Sequence, residues 1–495
     1  MISRNGNTRK QRRERVQADV VVVGAGIVGS AIARRLSRYR VRTVLLEKHS
    51  DVCMGTSKSN NAHIVCGADC PPGKIETEIV VRSNSSYDRV TEELQVPYKR
   101  IGTAYVAIKD GEVRKLEAMQ EAAAKNGVAG TRILGRDEIL EIEPRLTGET
   151  RAALWVPHDG ILAPYELGVA LCENAAKNGV EIRTGCEVKG IDVENGAVGR
   201  VICNGTTVQT RVVINAAGLF ADEISAMVGW DDFQLYPRRG EFYILDRKCR
   251  FLVNHIIYPL PGPITRGATI CPTIDDNVLI GPTAVDVEDK RNTGTTREGL
   301  REVITGVQRY FPEIRPSMGV TQYAGLRPAG ADDFIVAAHP EVRGFINAAG
   351  IRSTGISACL GVAERVEALL SEQMELRAKP DYNPFRERAR RFGSCSPEEQ
   401  DSLISRNVRY GRVVCRCETV TEQEILEAIY RVPRACDLDA VKRRTRAGMG
   451  RCQGGFCTTR VMSILSRELG LPMEMITKKG PGSEILKRPT KGASR

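Results

Sequence analysis

The sequence lacks any long uninterrupted hydrophobic run. No stretch approaches the roughly 18 consecutive apolar residues that a membrane-spanning helix needs, although hydrophobic residues make up 42% of the 495-residue chain and predict a large buried core. Residues 1–17 also lack the apolar segment of a secretory signal and are predicted to form a disordered basic tail. We find no internal repeat and no nucleic-acid-binding motif, so a nucleic-acid partner is not expected.

Positive charge and cysteine are what the sequence has in excess. The net charge of +11 predicts attraction to an anion, either an acidic substrate or an acidic protein partner, or reflects a solubility effect alone. Fifteen cysteines without a secretory signal predict a reducing, cytoplasmic compartment. Most of them stand singly in apolar stretches, as Cys172 and Cys359 do, and are expected to be small buried hydrophobes.

The first strong pattern is a β-turn-helix-β unit near the N-terminus. It consists of a buried parallel strand at 18–23, a turn from Gly24 to Gly29, a helix at 30–39 and a second strand at 41–47. Gly24 allows a tight turn, Gly26 lets the backbone approach a pyrophosphate, and Gly29 allows the helix to pack closely on the strand. Glu47 ends the second strand, where its carboxylate can accept hydrogen bonds from ribose hydroxyls. The unit therefore predicts a dinucleotide-binding fold.

Two later segments favour FAD over NAD. Residues 213–218 predict a buried strand that ends in small residues at Ala217 and Gly218, where the backbone can lie near the pyrophosphate. Residues 347–356 predict a strand, a turn at Gly350 and a helix start. That helix N-terminus can face the edge of the flavin on which negative charge accumulates during reduction. Each segment alone is also compatible with an ordinary glycine turn.

With these residues in place, the chain from 18 to 375 resembles the D-amino-acid oxidase / glycerol-3-phosphate dehydrogenase superfamily of FAD enzymes. The matching parts are the turn with Glu47 and the segments 55–58, 215–218, 237–241, 325–328 and 350–355. The resemblance implies that FAD is bound by Gly24, Ala25, Gly26, Ile27, Val28, Gly29, Glu47, Lys48, Thr56, Ser57, Lys58, Asn60, Val188, Ala217, Gly218, Gly350, Arg352, Ser353, Thr354, Gly355 and Ile356.

The resemblance also implies an α/β fold of two lobes, in which a discontinuous Rossmann-like FAD-binding domain carries a substrate domain with a mixed sheet. We place the FAD-binding domain at 18–98, 161–230 and 322–376, and the substrate domain at 99–160 and 231–321. One helix is expected over residues 75–94. A linker is expected at 377–412, a small α-rich domain at 413–475 and a flexible tail at 476–495.

Four cysteines near the C-terminus are spaced like metal ligands. Cys415-x-Cys417 and Cys452-x4-Cys457 can each hold one side of a 2Fe–2S cluster, because thiolates are soft ligands. The neighbouring glycines let the backbone aim N–H groups at sulfur. Zinc is the alternative, although structural zinc sites more often use other spacings. The segment resembles the 2Fe–2S domain of bacterioferritin-associated ferredoxin, which is appended to the large subunit of anaerobic glycerol-3-phosphate dehydrogenases.

A basic run, Lys442–Arg446, lies shortly before the second cysteine pair. It is predicted either to dock an acidic redox partner or to form a solvated helix face.

The resemblance further points to residues around a substrate. Arg327 and Arg352 occupy the family's anchor positions for an anion, and structural salt bridges are the alternative reading of both. Weaker candidates are Tyr258, Tyr323 and Arg239. Alcohol-oxidising relatives carry a histidine where this chain has Val65. His63 lies two residues earlier and is predicted either to replace that catalytic base or to be structural.

We therefore predict an FAD-dependent dehydrogenase that oxidises a small anionic metabolite, glycerol 3-phosphate-like or a 2-hydroxy acid, and passes electrons through the 2Fe–2S cluster. The expected acceptor is a partner protein, either a pyridine-nucleotide flavoprotein or a quinone-linked subunit. The chain would then work in a hetero-oligomer and meet a membrane only through a partner. An amine or amino-acid dehydrogenase is the first alternative, because a neutral amine needs no base. A non-catalytic electron-transfer subunit is the second.

Overall fold

A computed structural model describes residues 14–262 and 265–488 of the chain. Residues 1–13 of the expected basic tail and residues 489–495 of the expected C-terminal tail lie outside the described residues. None of the helices in the described ranges combines the length and apolar character that a membrane crossing requires.

A six-stranded sheet forms the centre of the first lobe. Its strands follow in space as Glu181–Arg183, Thr43–Leu46, Val20–Val23, Val212–Asn215, Phe345–Ala349 and Ile335–Ala338. The first five are parallel and the last is antiparallel to its neighbour. A second sheet, of four strands, comprises Glu14–Gln17, Thr206–Gln209, Ala197–Cys203 and Val188–Glu194.

Both faces of the six-stranded sheet are covered, which explains its uninterrupted hydrophobic strands. Val20 and Val22 pack on the helices, whereas Val21 and Val23 pack on the four-stranded sheet. The helices of this lobe are Ile27–Leu36, Ile75–Asn84, Tyr87–Glu93, Pro164–Lys177, Ala221–Ala226 and Gly355–Ser371, with short 3-10 turns at Thr56–Lys58 and Gly218–Phe220. A three-stranded sheet, His63–Ile64, Gly160–Leu162 and Tyr98–Arg100, leads into the second lobe.

The second lobe is built on a nine-stranded mixed sheet. Its strands are Val285–Asp286, Tyr236–Leu245, Val278–Gly281, Thr269–Pro272, Ile256–Pro259, Thr103–Ala107, Ala152–Val156 and Arg132–Gly135, with Gly319–Ala329 paired to Tyr236–Leu245. Its helices are Val113–Lys125, Arg136–Ile142 and Arg297–Gln308, with 3-10 turns at Asp110–Glu112, Arg247–Leu252 and Pro316–Met318.

The cysteine domain, residues 413–476, is small and mainly helical. Its helices Glu422–Tyr430, Leu438–Thr445 and Thr458–Leu469 enclose a separate core around Ile425, Ile429 and Leu465. A short hairpin of Val413–Cys415 and Val420–Thr421 precedes them. The remaining elements are the helix Pro397–Arg406 and the 3-10 turns Phe392–Ser394, Val408–Gly411 and Met473–Met475.

Several expected boundaries are wrong near the N-terminus. Residues 14–17 are not part of a tail but a strand parallel to Thr206–Gln209, with alternating exposure that the surrounding basic residues conceal. The first helix begins at Ile27 rather than at residue 30. The single helix expected over 75–94 is broken at Ser85 and Ser86, where the Ser85 hydroxyl donates to the backbone oxygen of Arg82 and competes with the helix pattern.

Boundaries also differ in the C-terminal half. The strand Gly319–Ala329 pairs along its length with the second-lobe strand Tyr236–Leu245, so the substrate sheet extends beyond residue 321. The segment expected as a linker contains a capped helix, Pro397–Arg406, and is anchored by Arg391, which forms ion pairs with Glu166 and Asp275. The expected flexible tail begins with a fully buried Ile476 and is not free at its start.

The three arginines of the basic run Lys442–Arg446 do not face solvent and are not available to a partner, whereas Lys442 is partly exposed. Arg443 and Arg444 are buried and both bind the carboxylate of Asp51, which is 0% exposed, at N–O distances of 2.5 and 2.7 Å. Arg446 forms an ion pair with Asp275 of the second lobe at 2.6 Å. These contacts fix the cysteine domain against both lobes, and we call them the Asp51 clamp and the Asp275 clamp.

Removing the Asp51 carboxylate should destabilise the protein strongly. An Asp51→Ala variant leaves two buried guanidinium groups without their partner, and breaking a buried ion pair in this way costs about 3–5 kcal/mol. Calorimetry should therefore show a clearly lowered melting temperature. Asp110→Ala is the control, since its ion pair with Arg151 is exposed and should change stability by less than about 1 kcal/mol. Equal effects of the two variants would show that the clamp is not stabilising.

Candidate active site

A cavity of about 380 Å³ lies between the two lobes. The first lobe lines it with the glycine turn, the loop 56–61 and the loop 348–356. The second lobe contributes the end of the strand Gly319–Ala329 and the segment around Arg266. The cavity therefore lies at the carboxyl ends of parallel strands, where open α/β sheets bind their ligands.

The glycine turn has the geometry that was expected of it. Gly24 has a φ of +99°, and a Cβ at Gly29 would stand 1.9 Å from the Gly24 carbonyl oxygen, so neither position tolerates a side chain. Gly26 is the N-cap residue of the first helix and has no side chain with which to cap it. Its N-terminus, with a hydrogen bond from the Ile27 N–H to Ser57 Oγ at 2.8 Å, is open toward the cavity and suited to an anion.

Glu47 has a different immediate contact from the one that was predicted. Its buried carboxylate accepts hydrogen bonds from the backbone N–H groups of Ala25 and His49, both at 2.9 Å. Burial raises the pKa of Glu47, and these two hydrogen bonds oppose that rise. In this structure the carboxylate therefore holds the glycine turn in place.

Three other residues predicted to bind FAD lie away from the cavity. The Lys48 ammonium stands 3.0 Å from the centre of the Phe220 ring, and Val188 is packed into the core between the two sheets. Lys58 is half-buried, and desolvation together with the nearby charge of Arg443 lowers its pKa to about 8. These three residues are not among those that line the cavity.

The loop 350–355 joins the cavity to the last helix of the lobe. Gly350 has a φ of +66°, which permits the turn, and Glu76 accepts hydrogen bonds from Arg352 and Thr354 at 2.6 and 2.7 Å. Ser357, one turn into the helix, accepts a hydrogen bond from the backbone N–H of Val65. The helix N-terminus and the loop around His63 are thereby fixed relative to each other.

Most of the residues predicted to bind FAD converge on this cavity. Those that line it are Gly26, Ile27, Val28, Thr56, Ser57, Asn60, Gly218, Gly350, Arg352, Ser353, Gly355 and Ile356. Gly24, Ala25, Gly29, Ala217 and Thr354 lie behind this surface and shape its backbone. The open helix N-terminus and the side-chain-free glycine at position 26 fit the pyrophosphate of a dinucleotide.

His63 lies behind the cavity wall rather than in it. The ring is buried, with Nδ1 at 2.9 Å from the Tyr258 hydroxyl and at 3.1 Å from the Asn61 amide nitrogen. Its Nε2 lies 2.9 Å from Cys271 Sγ. Burial and the charge of Arg266 lower the pKa of His63 to about 3, so the ring is neutral at pH 7. If the amide donates, Nδ1 is the acceptor and Nε2 carries the hydrogen.

The two predicted anchor arginines have different surroundings. Arg352 is held by Glu76, as described above. Arg327 has no carboxylate partner among the described residues: one N–H group donates to the Thr283 carbonyl oxygen at 2.5 Å, and the guanidinium faces the cavity. Burial and the neighbouring Arg238 and Arg266 lower the pKa of Arg327 to about 10, which leaves it charged at pH 7. Of the two, Arg327 is the one available to a ligand.

Several cavity residues were not singled out from the sequence. Arg266 is half-buried in the cavity wall, where it forms an ion pair with Asp69 and lies 3.2 Å from Ser353 Oγ. Glu76 and Asn61 orient other site residues. Nothing in the spacing of these residues marks them, because each comes from a loop outside the motifs. Of the weaker candidates, Tyr258 lines the cavity, Tyr323 donates to the Asn60 carbonyl oxygen and Arg239 pairs with Glu241.

The four predicted cluster ligands are brought together at the surface of the cysteine domain. Cys417 and Cys452 have sulfur atoms 3.6 Å apart, and Cys415 is hydrogen-bonded to Cys457. Among the described residues no three ligand side chains surround one point, and the thiols lie as two pairs. Each pair joins the two loops, whereas the spacing suggested one pair from each loop.

The loops are shaped for close approach to sulfur. A Cβ at Gly450 would stand 2.2 Å from the Cys417 Cβ, so only glycine fits there. Backbone N–H groups of residues 418 and 448 point to the Cys415 sulfur, and those of 454 and 456 to the Cys452 sulfur. Hydrogen bonding, chiefly from the Cys457 thiol, lowers the pKa of Cys415 to about 6. Four cysteines with backbone N–H groups directed at their sulfur atoms suit an iron–sulfur cluster held by thiolates.

Comparison with known proteins agrees with this geometry. The family of FAD dependent oxidoreductases matches residues 19–369, and the BFD-like 2Fe-2S binding domain matches residues 413–467. A glycerol 3-phosphate dehydrogenase of Caloramator mitchellensis is 40% identical over 96% of this chain and 99% of its own length. The mitochondrial L-2-hydroxyglutarate dehydrogenase of Nematostella vectensis is 31% identical over 66% of this chain and 78% of its own.

One solved structure extends the comparison. The FAD-bound L-alpha-glycerophosphate oxidase of Mycoplasma pneumoniae superposes with a TM-score of 0.71 at 27% identity, and the match covers 75% of this chain and 98% of that one. The uncovered quarter of this chain is accounted for largely by the segment that contains the cysteine domain.

A methyl group at Gly26 should reduce FAD binding without unfolding the protein. The added Cβ would meet only Ser57 Oγ, at 3.2 Å, but would occupy the approach to the pyrophosphate. Overpacking costs about 1–3 kcal/mol, so Gly26→Ala should bind FAD about tenfold more weakly or worse. Flavin absorbance per chain measures the effect, with circular dichroism as the check on folding. Gly55→Ala, in open space nearby, should retain full flavin, and equal retention by Gly26→Ala would contradict the assignment.

The neutral His63 should make the protein sensitive to acid. The unfolded chain protonates this histidine below about pH 6.5, whereas the folded chain keeps it neutral down to about pH 3. Stability should therefore fall as the pH is lowered from 6.5 to 3. In His63→Gln that contribution disappears. Urea unfolding at several pH values should then show that the free energy of unfolding falls less steeply between pH 6.5 and 3 than it does in the wild type. His158→Gln, at an exposed side chain, serves as the control. An unchanged slope in His63→Gln would mean that other groups dominate.

Proposed function

This chain belongs to the family of FAD-dependent oxidoreductases, and from that premise we propose that it is a dehydrogenase of a small anionic metabolite, either glycerol 3-phosphate-like or a 2-hydroxy acid. The enzyme uses FAD in its first lobe and a 2Fe–2S cluster in its C-terminal domain. When bound, FAD supplies the hydride acceptor and the cluster a one-electron carrier. We assign the cluster ligands to Cys415, Cys417, Cys452 and Cys457.

The observation that carries the substrate proposal is the partly buried Arg327, which has no carboxylate partner among the described residues. A guanidinium presents a planar fork that matches a carboxylate or a phosphate, and its cost of burial is offset when such an anion binds. Arg266 and Arg238 lie near it and add positive charge, although each is paired with its own aspartate. This part of the cavity therefore supports an anionic group on the substrate and disfavours a cationic one.

For a hydroxyl substrate we propose that His63 accepts the proton through Tyr258. The substrate hydroxyl would donate its proton to the Tyr258 oxygen while the phenolic proton moves to His63 Nδ1. The 2.9 Å contact between these atoms supports the transfer. The Asn61 amide, 2.8 Å from the Tyr258 oxygen, orients the phenol. His63 would then act behind the wall, in place of the histidine that relatives carry at the position of Val65.

Oxidation of an amino acid is a second candidate, and the low basicity of His63 favours it. A group whose pKa is lowered to about 3 is a weak general base at pH 7. A neutral amine has a free lone pair and needs no base for hydride transfer. Such a substrate would still use Arg327 for its carboxylate.

We further propose that electrons leave through the cluster to a partner protein or a quinone-linked acceptor, within a hetero-oligomer in the cytoplasm. The cysteine domain supports this route, since an enzyme that returned electrons directly to oxygen would need no cluster. The fifteen cysteines, all described, are free of disulfide bonds, which supports a reducing compartment.

Stopped-flow reduction of the full chain, without oxygen, tests the substrate proposal. We expect sn-glycerol 3-phosphate or L-2-hydroxyglutarate to bleach the flavin, and the cluster signal in electron paramagnetic resonance to follow. Arg327→Met should weaken the anionic substrate about tenfold to hundredfold, as expected for loss of a charge-assisted hydrogen bond. Neutral glycerol at high concentration should be affected little. Equal losses on both substrates would show that Arg327 does not bind the anion.

The same assay separates the two candidates. Tyr258→Phe should slow hydroxyl oxidation strongly and leave amine oxidation nearly unchanged, because only the hydroxyl requires proton transfer through the phenol. If L-proline or glycine reduces the flavin and the hydroxy compounds do not, the amine candidate replaces the first. If the flavin bleaches and the cluster never does, the proposed electron route is wrong.

A further inference from the structure

One aromatic side chain stands out at the cysteine loops. Phe456 is 82% exposed, more than any other large hydrophobic residue in the described part of the chain. It lies between Cys452 and Cys457, and its backbone N–H points to the Cys452 sulfur. A phenyl ring in water has no structural benefit here, and exposed aromatics are enriched where proteins meet other proteins.

Two arginines without an ion-pair partner among the described residues lie close in sequence to the cysteine ligands. Arg416 lies between Cys415 and Cys417, Arg460 lies three residues after Cys457, and both are exposed. The Cys417–Cys452 contact of 3.6 Å brings the two cysteine loops together. We call Phe456, Arg416 and Arg460 the cluster rim.

Negative charge near the rim is already neutralised. The Glu418 carboxylate is 6% exposed and binds Arg446 and Arg247 at 2.7 and 2.9 Å. Asp246 is paired with Arg451 at 2.6 Å. The rim therefore presents an apolar ring within a positive surface.

The other basic surface of this domain is not accessible. The run Lys442–Arg446 was the expected docking site, but the Asp51 and Asp275 clamps bury its arginines against the lobes. On the rim, by contrast, the Cys417 side is exposed and the Cys452 side half-buried. An acceptor that must come close to these thiols can do so at the rim.

We propose that the cluster rim is the docking surface for an acidic one-electron acceptor protein, whose carboxylates pair with Arg416 and Arg460 and which has a small apolar recess for Phe456. This inference rests on the proposed exit of electrons through the 2Fe–2S cluster. In each encounter one electron leaves the reduced enzyme and the acceptor is reduced by one electron, with no bond made or broken. Two encounters therefore complete one two-electron oxidation.

Charge decides between the possible occupants. A second copy of this chain has a net charge of +11 and the same basic rim, so the two rims would repel each other. An anionic lipid surface matches the charge but accepts no electron from the thiolate-bound cluster. An acidic protein satisfies both conditions, and its approach is accelerated by the opposite charges.

An acidic flavodoxin is a suitable probe, and basic cytochrome c is its counterpart. The full chain with both cofactors is reduced by dithionite, and its oxidation by each probe is followed by stopped flow at low and high salt. Binding of the enzyme to immobilised flavodoxin is measured in parallel. Because dithionite replaces the substrate, failure of the substrate proposal does not affect this experiment, and failure of cluster reduction is detected separately by electron paramagnetic resonance.

Charge reversal at the cluster rim should lower the rate of electron transfer to flavodoxin mainly at low salt. We expect Arg416→Glu and Arg460→Glu to lower the bimolecular rate with flavodoxin about tenfold or more and to remove its salt dependence. Arg460 lies outside the ligand loops, so its variant remains informative if Arg416→Glu loses the cluster. Arg301→Glu, an exposed arginine in the second lobe, is the matched control and should behave as wild type.

Removing the Phe456 ring should weaken flavodoxin binding at all salt concentrations. Phe456→Ser should weaken flavodoxin binding about tenfold, as truncation of an interface anchor does, and Phe456→Leu should recover most of it. Phe385→Ser, 60% exposed in the segment before the cysteine domain, is the control. Iron content and visible circular dichroism establish that each variant retains its cluster.

Four results would overturn the inference. Rim variants that match their controls would place docking elsewhere, as would a wild type that reacts no faster with flavodoxin than with cytochrome c at low salt. A dimer in sedimentation that Phe456→Ser converts to a monomer would identify a second copy as the occupant. Loss of binding to phosphatidylglycerol vesicles, with the flavodoxin rate unchanged, would identify a membrane surface.

Discussion

The placement of the cysteine domain depends on the buried carboxylate of Asp51. Two guanidinium groups from one helix of that domain, Arg443 and Arg444, converge on this single side chain in the first lobe. A carboxylate with no access to water stabilises such a pair only when both its oxygens are hydrogen-bonded, and here both are. The cost of separating these groups holds the helix Leu438–Thr445, and with it the cysteine domain, against the FAD lobe. Next to the cysteines, Glu418 and Arg451 pair with Arg247 and Asp246 of the second lobe.

The parts of the fold that local sequence determines were predicted from it. Hydrophobic runs and glycine positions mark the strand Val20–Val23, the glycine turn and the helix Gly355–Ser371, and the fold class and both cofactors were identified correctly. Errors arose where local preference and long-range packing disagree. The strand Glu14–Gln17 looks like a charged tail because its partner, Thr206–Gln209, is nearly two hundred residues away. The arginines of the basic run look solvated because nothing local reveals Asp51.

Some residues of the candidate site were also recognisable from the sequence, and others were not. Residues that act through their backbone, such as Gly24 and Gly29, are recognisable because only glycine fits at these positions. Residues that act through a contact between loops, such as Arg266 with Asp69, leave no pattern in the sequence. Glu47 shows the intermediate case. Its position predicts a ribose contact, whereas in the structure its carboxylate holds the Ala25 and His49 N–H groups. Position in a motif therefore locates a residue more securely than it defines the contact.

The two family anchor positions illustrate why charge alone does not identify a binding residue. Arg352 and Arg327 both line the cavity. Arg352 is neutralised by Glu76, so an incoming anion would have to displace an existing carboxylate. Arg327 has no carboxylate partner among the described residues, and holding its charge in a partly buried position beside Arg238 and Arg266 costs free energy, which is why its pKa is lowered. That free energy is recovered only when an anion enters. The unpaired charge of Arg327 therefore destabilises the empty site and favours anionic ligands over neutral ones. This is the behaviour expected of a residue retained for binding.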